Sequence, residues 1–317
     1  MATLILDRSW RFQTLPPFLG HETSRPGWAR TAGFLAMALP AAVLTGALTG
    51  LLISLAAAGA LSSGSHLPLT DALGLLANSA RSPRSLISYA YELSVAGLAT
   101  YAAALVVLWI ASRVYRRPVL SFLTASARFR WRIVGAGLAV GLPLMAIALL
   151  AGGSGDTAAV APPILTPGAG ALQRLGYAAC ALVMLYLAAL AEEAVFRGWL
   201  LQQTAAWTRS LPLILGVNGV LFSLAHFDPN PVNLLVRAIM GAGWAWIALR
   251  TAGVEFTTGA HLANNLFVAL FVAPVSFTAP KARPFDLRPA LVELAIVAAL
   301  AVAVEVRIRG RRRKAMA

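Results

Sequence analysis

The chain has 317 residues, of which 59% are hydrophobic and only 12% are charged. A soluble domain usually carries about 25% charged residues, so this composition excludes an ordinary soluble protein and indicates a membrane protein. The formal net charge is +14, but the basic residues flank apolar runs instead of lining one face with interleaved aromatics, which argues against nucleic-acid binding. The single cysteine, Cys180, excludes an intramolecular disulfide framework.

Residues 1–31 contain arginines, tryptophans and prolines, a composition that suits a segment at the membrane interface. No short apolar core followed by a small-residue cleavage site is found there, so the first long apolar run is expected to act as an uncleaved anchor.

Eight apolar runs follow in chain order, and each is a candidate for a membrane-spanning helix, which needs about 20 apolar residues. The expected spans are 31–61, 85–112, 133–152, 172–207, 211–226, 231–249, 256–275 and 289–306. The fold class that follows is all-α: a polytopic integral membrane protein with about eight transmembrane helices. The segment 153–171, rich in Gly, Ala and Pro, is expected to be a loop on the outer side.

The positions of the basic residues predict an orientation. If the N-terminus is cytoplasmic, the inner segments hold 18 of the 26 basic residues and the outer segments hold 6, while two lie within spans. This bias follows the positive-inside rule and places both termini in the cytoplasm. The richness in alanine and arginine suggests a bacterial inner membrane.

Ionisable residues inside spans are costly and are therefore candidates for function. Glu92 and Glu293 lie near the outer ends of their predicted helices, where solvation at the interface would account for them. Glu193 and Arg197 are four residues apart in the order that favours a helical ion pair. The neighbouring Glu192 points about 100° away and has no partner in its own turn.

Two later helices each carry a histidine beside other polar or aromatic residues. Phe222 and His226 share one helical face, and so do His261 and Asn265, with Asn264 adjacent. A lone histidine on an apolar face is usually a core residue. Two of them in one chain with an unpartnered intramembrane glutamate instead indicate a site.

Spacing along the chain supports their convergence. Glu192 precedes Arg209 by 17 residues and His226 follows it by 17, so both lie about 25 Å from the predicted turn on neighbouring antiparallel helices. Glu255 marks the inner end of the helix that carries His261, and His261 lies about two turns further along, at a comparable depth. The three elements can therefore meet. The Pro-rich stretch at 228–231 would then lie within the membrane and line a cavity.

These residues form an ordered pattern: Glu-Glu-x-x-x-Arg at 192–197, Phe-x-x-x-His at 222–226 and His-x-x-x-Asn at 261–265. In this order, on eight spans, they resemble the CPBP intramembrane protease family, which includes type II CAAX prenyl endopeptidases and bacterial proteins grouped as abortive-infection or bacteriocin-immunity proteins. The resemblance covers residues 172–275. This range is the expected protease-like core. Together with composition and charge it divides the chain into an interfacial segment at 1–31, a helical bundle at 32–306 and a basic cytoplasmic tail at 307–317.

The resemblance implies an intramembrane endopeptidase of the glutamic type. Glu192 would be the general base that activates water, with His226 as its partner, while His261 and Asn265 would stabilise the oxyanion. The supporting residues would be Glu193, Arg197, Phe222 and Asn264. The substrate would be a membrane-tethered or lipidated peptide or protein, and its identity stays open, as does the oligomeric state.

Three alternatives remain. A zinc mechanism would use Glu192, His226 and His261 as ligands, although no cofactor is expected otherwise. A non-catalytic scaffold or immunity protein could keep the same fold. A proton-coupled transporter could use Glu192 and His226 as a relay, but no inverted repeat supports this. Arg237, within a span, is expected either to reach a cavity or to pair with Asp228.

Overall fold

The computed structural model describes residues 5–7, 9–19, 27–78, 85–150, 162–274 and 285–316. Within these ranges the backbone is almost entirely helical. The helices are α1 (Trp28–Ser65), α2 (Leu69–Ala77), α3 (Leu86–Val114), α4 (Leu120–Leu123), α5 (Trp131–Leu150), α6 (Ala171–Glu193), α7 (Leu201–Trp207), α8 (Leu211–Leu224), α9 (Pro231–Thr251), α10 (Glu255–Phe271) and α11 (Arg288–Met316). The first part of the predicted 153–171 loop, residues 153–161, lies outside the described residues, as do Arg8, Arg25, Arg81, Arg84, Lys281 and Arg283.

All eight predicted segments are helical, which confirms the all-α membrane fold. Six helices of the described part are long and apolar enough to cross a membrane: Trp28–Ser65, Leu86–Val114, Trp131–Leu150, Ala171–Trp207, Pro231–Thr251 and Arg288–Gly310. The other two are shorter, since α8 has 14 residues and α10 has 17. The 14 residues of α8 extend about 21 Å, less than the hydrocarbon thickness of about 30 Å.

The fourth predicted span is one long helical rod with a change of winding inside it. Between α6 and α7 the backbone of Ala194–Leu200 is π-helical, so that Ala171–Trp207 runs on as 37 residues. Such a rod is about 55 Å long and exceeds the bilayer core, as expected from its length. The π-helical segment begins directly after Glu193.

An N-terminal hairpin closes one end of the bundle. Strands β1 (Ile5–Leu6) and β2 (Phe12–Thr14) pair antiparallel, and the Phe12 N–H donates to Arg209 O at 2.9 Å, in the turn between α7 and α8. Hydrogen bonds from the N–H groups of Arg11 and Ser9 lower the pKa of Asp7 in the connecting turn. Phe12, like Phe18, is buried against the ends of α7, α8 and α9.

The first half of helix α10 is enclosed by the bundle, and every residue from Glu255 to Ala263 is buried. It crosses α5 closely because glycines lie at the contact. A Cβ added to Gly137 would lie 2.1 Å from Phe256 O, and one added to Gly259 would lie 2.0 Å from Val134 O. Small residues let membrane helices approach in this way, and the approach fixes the depth of α10 in the bundle.

The expectation that Glu92 and Glu293 are solvated at the interface is wrong. Their exposed fractions are 2% and 6%. Both side chains lie on the faces of α3 and α11 that pack against neighbouring helices, although other faces of the same helices are exposed. Position near a helix end therefore does not imply exposure here.

Candidate active site

Three helical elements bring one carboxylate and two imidazoles together. Glu192 lies at the end of α6, His226 just beyond α8 and His261 in α10. The Glu192 Oε2 atom is 3.9 Å from His226 Nε2 and 3.7 Å from His261 Nε2. These separations are too long for direct hydrogen bonds and match groups that share a small polar molecule between them. The structure therefore brings together the residues that the sequence predicted to meet.

Backbone contacts orient the imidazole of His226. Its Nδ1 lies 2.8 Å from Phe222 O, and because a carbonyl oxygen only accepts, Nδ1 carries the proton. The ring packs edge-on against Phe222, with centroids 4.8 Å apart. Nε2 is thus left with its lone pair directed toward Glu192 when the ring is neutral.

His261 is held by the second glutamate of the motif. Its Nδ1 lies 3.0 Å from Glu193 Oε1, and a carboxylate oxygen favours the Nδ1–H form. The ring is 3% exposed and packs edge-on against Trp244 at 4.7 Å between centroids. His261 therefore presents Nε2 to Glu192 from a fixed, nearly dry position.

Glu193 also pairs with Arg197, as their spacing predicted. Arg197 Nη1 lies 3.2 Å from Glu193 Oε1, and both side chains are 0% exposed. The guanidinium carbon sits 3.9 Å from the ring centroid of Phe222 and 5.5 Å from that of Trp244. This cation–π contact adds to the compensation of a buried charge. Glu193 therefore links Arg197 to His261, a connection that sequence spacing did not predict.

The π-helical segment gives the motif its local geometry. Widening the helix leaves backbone carbonyls without their usual partners, and such segments are frequent at functional sites. The side chain of Asn218, fully buried in α8, donates from Nδ2 to Phe196 O at 2.8 Å. Asn218 thus stabilises the irregular backbone immediately after the glutamate pair.

One helical face, which runs along α8 and past its last residue, makes three of these contacts. Asn218, Phe222 and His226 recur every four residues, so they share a face and meet the π-helical backbone, Arg197 and Glu192 respectively. Sequence reasoning identified the last two and missed Asn218, although a polar residue four positions before Phe222 was a usable signal. It also missed Trp244, which no local pattern marked.

The two asparagines of α10 form a hydrogen bond with each other. Asn264 Nδ2 donates to Asn265 Oδ1 at 3.0 Å, and both side chains are half-buried. Asn265 lies one helical turn beyond His261 on the same face. The oxyanion role of His261 and Asn265 stays a prediction.

Arg237 is explained by one of its two predicted arrangements. Its Nη1 lies 2.8 Å from Asp228 Oδ2, and Asn233 Nδ2 donates to the same oxygen at 2.8 Å. Asn230 caps α9 by accepting from the N–H groups of Val232 and Asn233. In the Pro-rich connection between α8 and α9, which follows His226, the side chains of Asp228 and Asn230 are therefore both hydrogen-bonded to residues of α9.

The three side chains at the site are of the types that bind zinc, but the distances between their donor atoms are longer than in a zinc site. Glu192, His226 and His261 match a His₂Glu zinc set, and the hydrogen bonds at both Nδ1 atoms resemble those of metal-bound histidines. Tetrahedral bonds of 2.0–2.2 Å put neighbouring ligand atoms about 3.3 Å apart, closer than the 3.7 and 3.9 Å found here. Within the described residues no group of three His, Cys, Asp or Glu side chains has metal-site geometry.

Comparison with known proteins gives a family match over the segment that holds the site. A family model described as "Type II CAAX prenyl endopeptidase Rce1-like" matches residues 174–267, which confirms the resemblance drawn from the three motifs. The uncharacterized protein YyaK of Bacillus subtilis (strain 168) is 28% identical over 178 residues, 52% of this chain and 56% of that protein. The chain thus spans about half the length of this curated relative. No solved structure matches the chain.

Proposed function

We propose that this protein is an intramembrane endopeptidase of the CAAX-protease-like type, which hydrolyses a peptide bond of a membrane-tethered or lipidated substrate. The observation that carries the proposal is the position of Glu192 Oε2, 3.9 Å and 3.7 Å from the Nε2 atoms of two histidines. The match of residues 174–267 to the Rce1-like family model supports the same class of enzyme.

Glu192 is the proposed general base. Its carboxylate takes a proton from water, and the water oxygen forms a bond with the carbonyl carbon of the substrate amide. The proton then passes to the leaving nitrogen, directly or through the free Nε2 of His226, as the C–N bond breaks. His226 is suited to this step because Phe222 O holds its Nδ1–H in place.

His261 and Asn265 are the proposed oxyanion donors. His261 donates from Nε2 only as an imidazolium, since its Nδ1 already faces Glu193. The charges of Glu192, Glu193, Arg197 and His261 then sum to zero, which suits a site in which Glu193, Arg197 and His261 are buried. Donors placed where charge develops contribute strongly when water is excluded.

Mutagenesis of the purified full-length protein in liposomes tests the assignment. The substrates are membrane-anchored peptides, and mass spectrometry of the fragments gives the cleavage position and rate. We expect Glu192→Gln, Glu192→Ala and His226→Ala to lower the cleavage rate by at least about 10²-fold, the usual contribution of a positioned acid–base group. Glu293→Gln, a buried carboxyl of α11 outside the site, is the matched control.

Cleavage that survives the changes at Glu192 and His226 contradicts the proposal. A scaffold of the same fold would show no cleavage in any variant and would bind its partner equally well with Glu192→Gln. Metal content and sensitivity to chelators distinguish the zinc mechanism, in which Glu192, His226 and His261 are ligands, from the metal-free one.

A further inference from the structure

A groove on the surface of the bundle, separate from the active site, lies between the C-terminal halves of α9 and α11. Its volume is about 340 Å³, and its lining residues are Trp246, Ala301, Val302, Glu305, Val306 and Arg309. This volume falls in the range of about 300–1,000 Å³ typical of ligand sites. Among the described residues, none covers the outer side of the groove.

The chemistry of the groove changes along its length. Ala301, Val302 and Val306 form an apolar wall, and the two valines are 61% and 65% exposed. The Trp246 ring lies opposite, and Arg309 lies at the end nearer the C-terminus. Tryptophan is enriched where the hydrocarbon core meets the head groups. The groove therefore has the polarity gradient of an amphiphile, apolar along the wall and basic at one end.

The arginines at the basic end of the groove are not neutralised by Glu305. Glu305 is neutralised by Arg250, whose guanidinium makes two hydrogen bonds to the carboxylate, one of them 2.8 Å from Nη2 to Oε2. Arg307 and Arg309 are exposed, and neither has an ion-pair partner among the described residues. The chain continues with four more basic residues, Arg311, Arg312, Arg313 and Lys314. This end therefore complements a negative charge.

We propose that the groove is a binding site for an anionic phospholipid. An acyl chain lies along Val302 and Val306 against Trp246, and the phosphate lies at Arg309. Basic positions between helices on the cytoplasmic side are suited to anionic head groups, and each Lys or Arg near the surface contributes about 1 kcal/mol. The proposal does not depend on peptidase activity.

Native mass spectrometry of the full-length protein tests the site, with phosphatidylglycerol and phosphatidylcholine of matched acyl chains as probes. We expect tighter binding of phosphatidylglycerol to the unchanged protein. Arg309→Gln should weaken that binding about fivefold, the equivalent of one such charge. Arg313→Gln, an exposed arginine of the same helix that does not line the groove, should change it less than twofold.

A second variant separates the groove from the general charge of the tail. Val302→Trp fills the apolar wall without changing charge, and it should reduce the binding of phosphatidylglycerol to the level of phosphatidylcholine. Equal affinity for the two lipids would overturn the proposal. So would equal losses in Arg309→Gln and Arg313→Gln, or full binding in Val302→Trp, because each outcome assigns the attraction to the tail alone.

Discussion

Glu192 and Glu193 are adjacent and chemically identical, yet their surroundings differ. The side chain of Glu192 is 23% exposed, whereas that of Glu193 is 0% exposed. Consecutive helical residues point about 100° apart, so Glu193 faces Arg197 and His261 while Glu192 faces the two Nε2 atoms. One carboxylate is committed to ion pairs, and the other remains available for chemistry.

This difference predicts that the same substitution changes stability much more at Glu193 than at Glu192. Glu193→Gln leaves Arg197 as a buried charge without its carboxylate, which costs about 3–5 kcal/mol. Glu192→Gln should change stability by less than about 1 kcal/mol, since Glu192 makes no short ion pair. Thermal unfolding of both variants in detergent measures the difference.

A double variant serves as the control for Glu193. Glu193→Gln combined with Arg197→Met removes both charges, and we expect it to regain at least half of the lost stability. Equal unfolding temperatures for Glu193→Gln and Glu192→Gln would contradict the assignment of the buried pair.

Helix α8 shows how a short element positions the site. Its face toward the π-helical segment carries Asn218 and Phe222, with His226 just beyond the helix end, and the adjoining face packs on α9 through Gly219. A Cβ added to Gly219 would lie 2.6 Å from Ala238 O. The position of His226 opposite Glu192 therefore depends on how closely α8 and α9 approach.

We predict that Gly219→Ala impairs both stability and cleavage. The added methyl group must push α8 away from α9, at a cost of about 1–3 kcal/mol, and the shift moves His226 relative to Glu192. Unfolding temperature and cleavage rate are the measurements.

Gly216→Ala is the matched control on the same helix, because a Cβ at Gly216 meets nothing within 4 Å. Alanine is favoured over glycine in a helix interior, so this variant should be as stable as the unchanged protein or more so. Similar losses in both variants would show that the contact with α9 is unimportant.

In the whole molecule, two of the ion pairs lie at the same end of the bundle as the N-terminal hairpin. Arg130 makes a bidentate pair with Glu255 at the start of α10. Arg250 pairs with Glu305 near the end of α9, and the hairpin contacts the turn at Arg209. This is the end that the positive-inside bias assigns to the cytoplasm.

Cysteine labelling tests the orientation, in a background where Cys180 is replaced by alanine. Ser9→Cys reports the N-terminal hairpin, and Leu165→Cys reports the opposite end, where Leu165 is 56% exposed. In intact bacterial cells a membrane-impermeant maleimide should label the cysteine at 165 and not the one at 9. Both should react after lysis. The reverse pattern would contradict cytoplasmic termini.

The sequence allowed much of the site to be predicted because its signals are local. Spacing of four residues placed Glu193 with Arg197 and Phe222 with His226 on shared helical faces. Equal distances from Arg209 predicted that Glu192 faces His226, and the atoms are 3.9 Å apart. The bond between Glu193 and His261 joins residues 68 positions apart, and no local spacing predicts such a contact.

By itself the sequence determined the membrane class, the eight helical segments and the order of the three motifs, because hydropathy and helical spacing are properties of neighbouring residues. Only the tertiary structure decided that Glu92 and Glu293 are buried, that a π-helical segment follows Glu193, and that a groove ends at Arg309. These features arise where helices distant in the chain pack against one another, because tertiary packing determines which side chains are in contact.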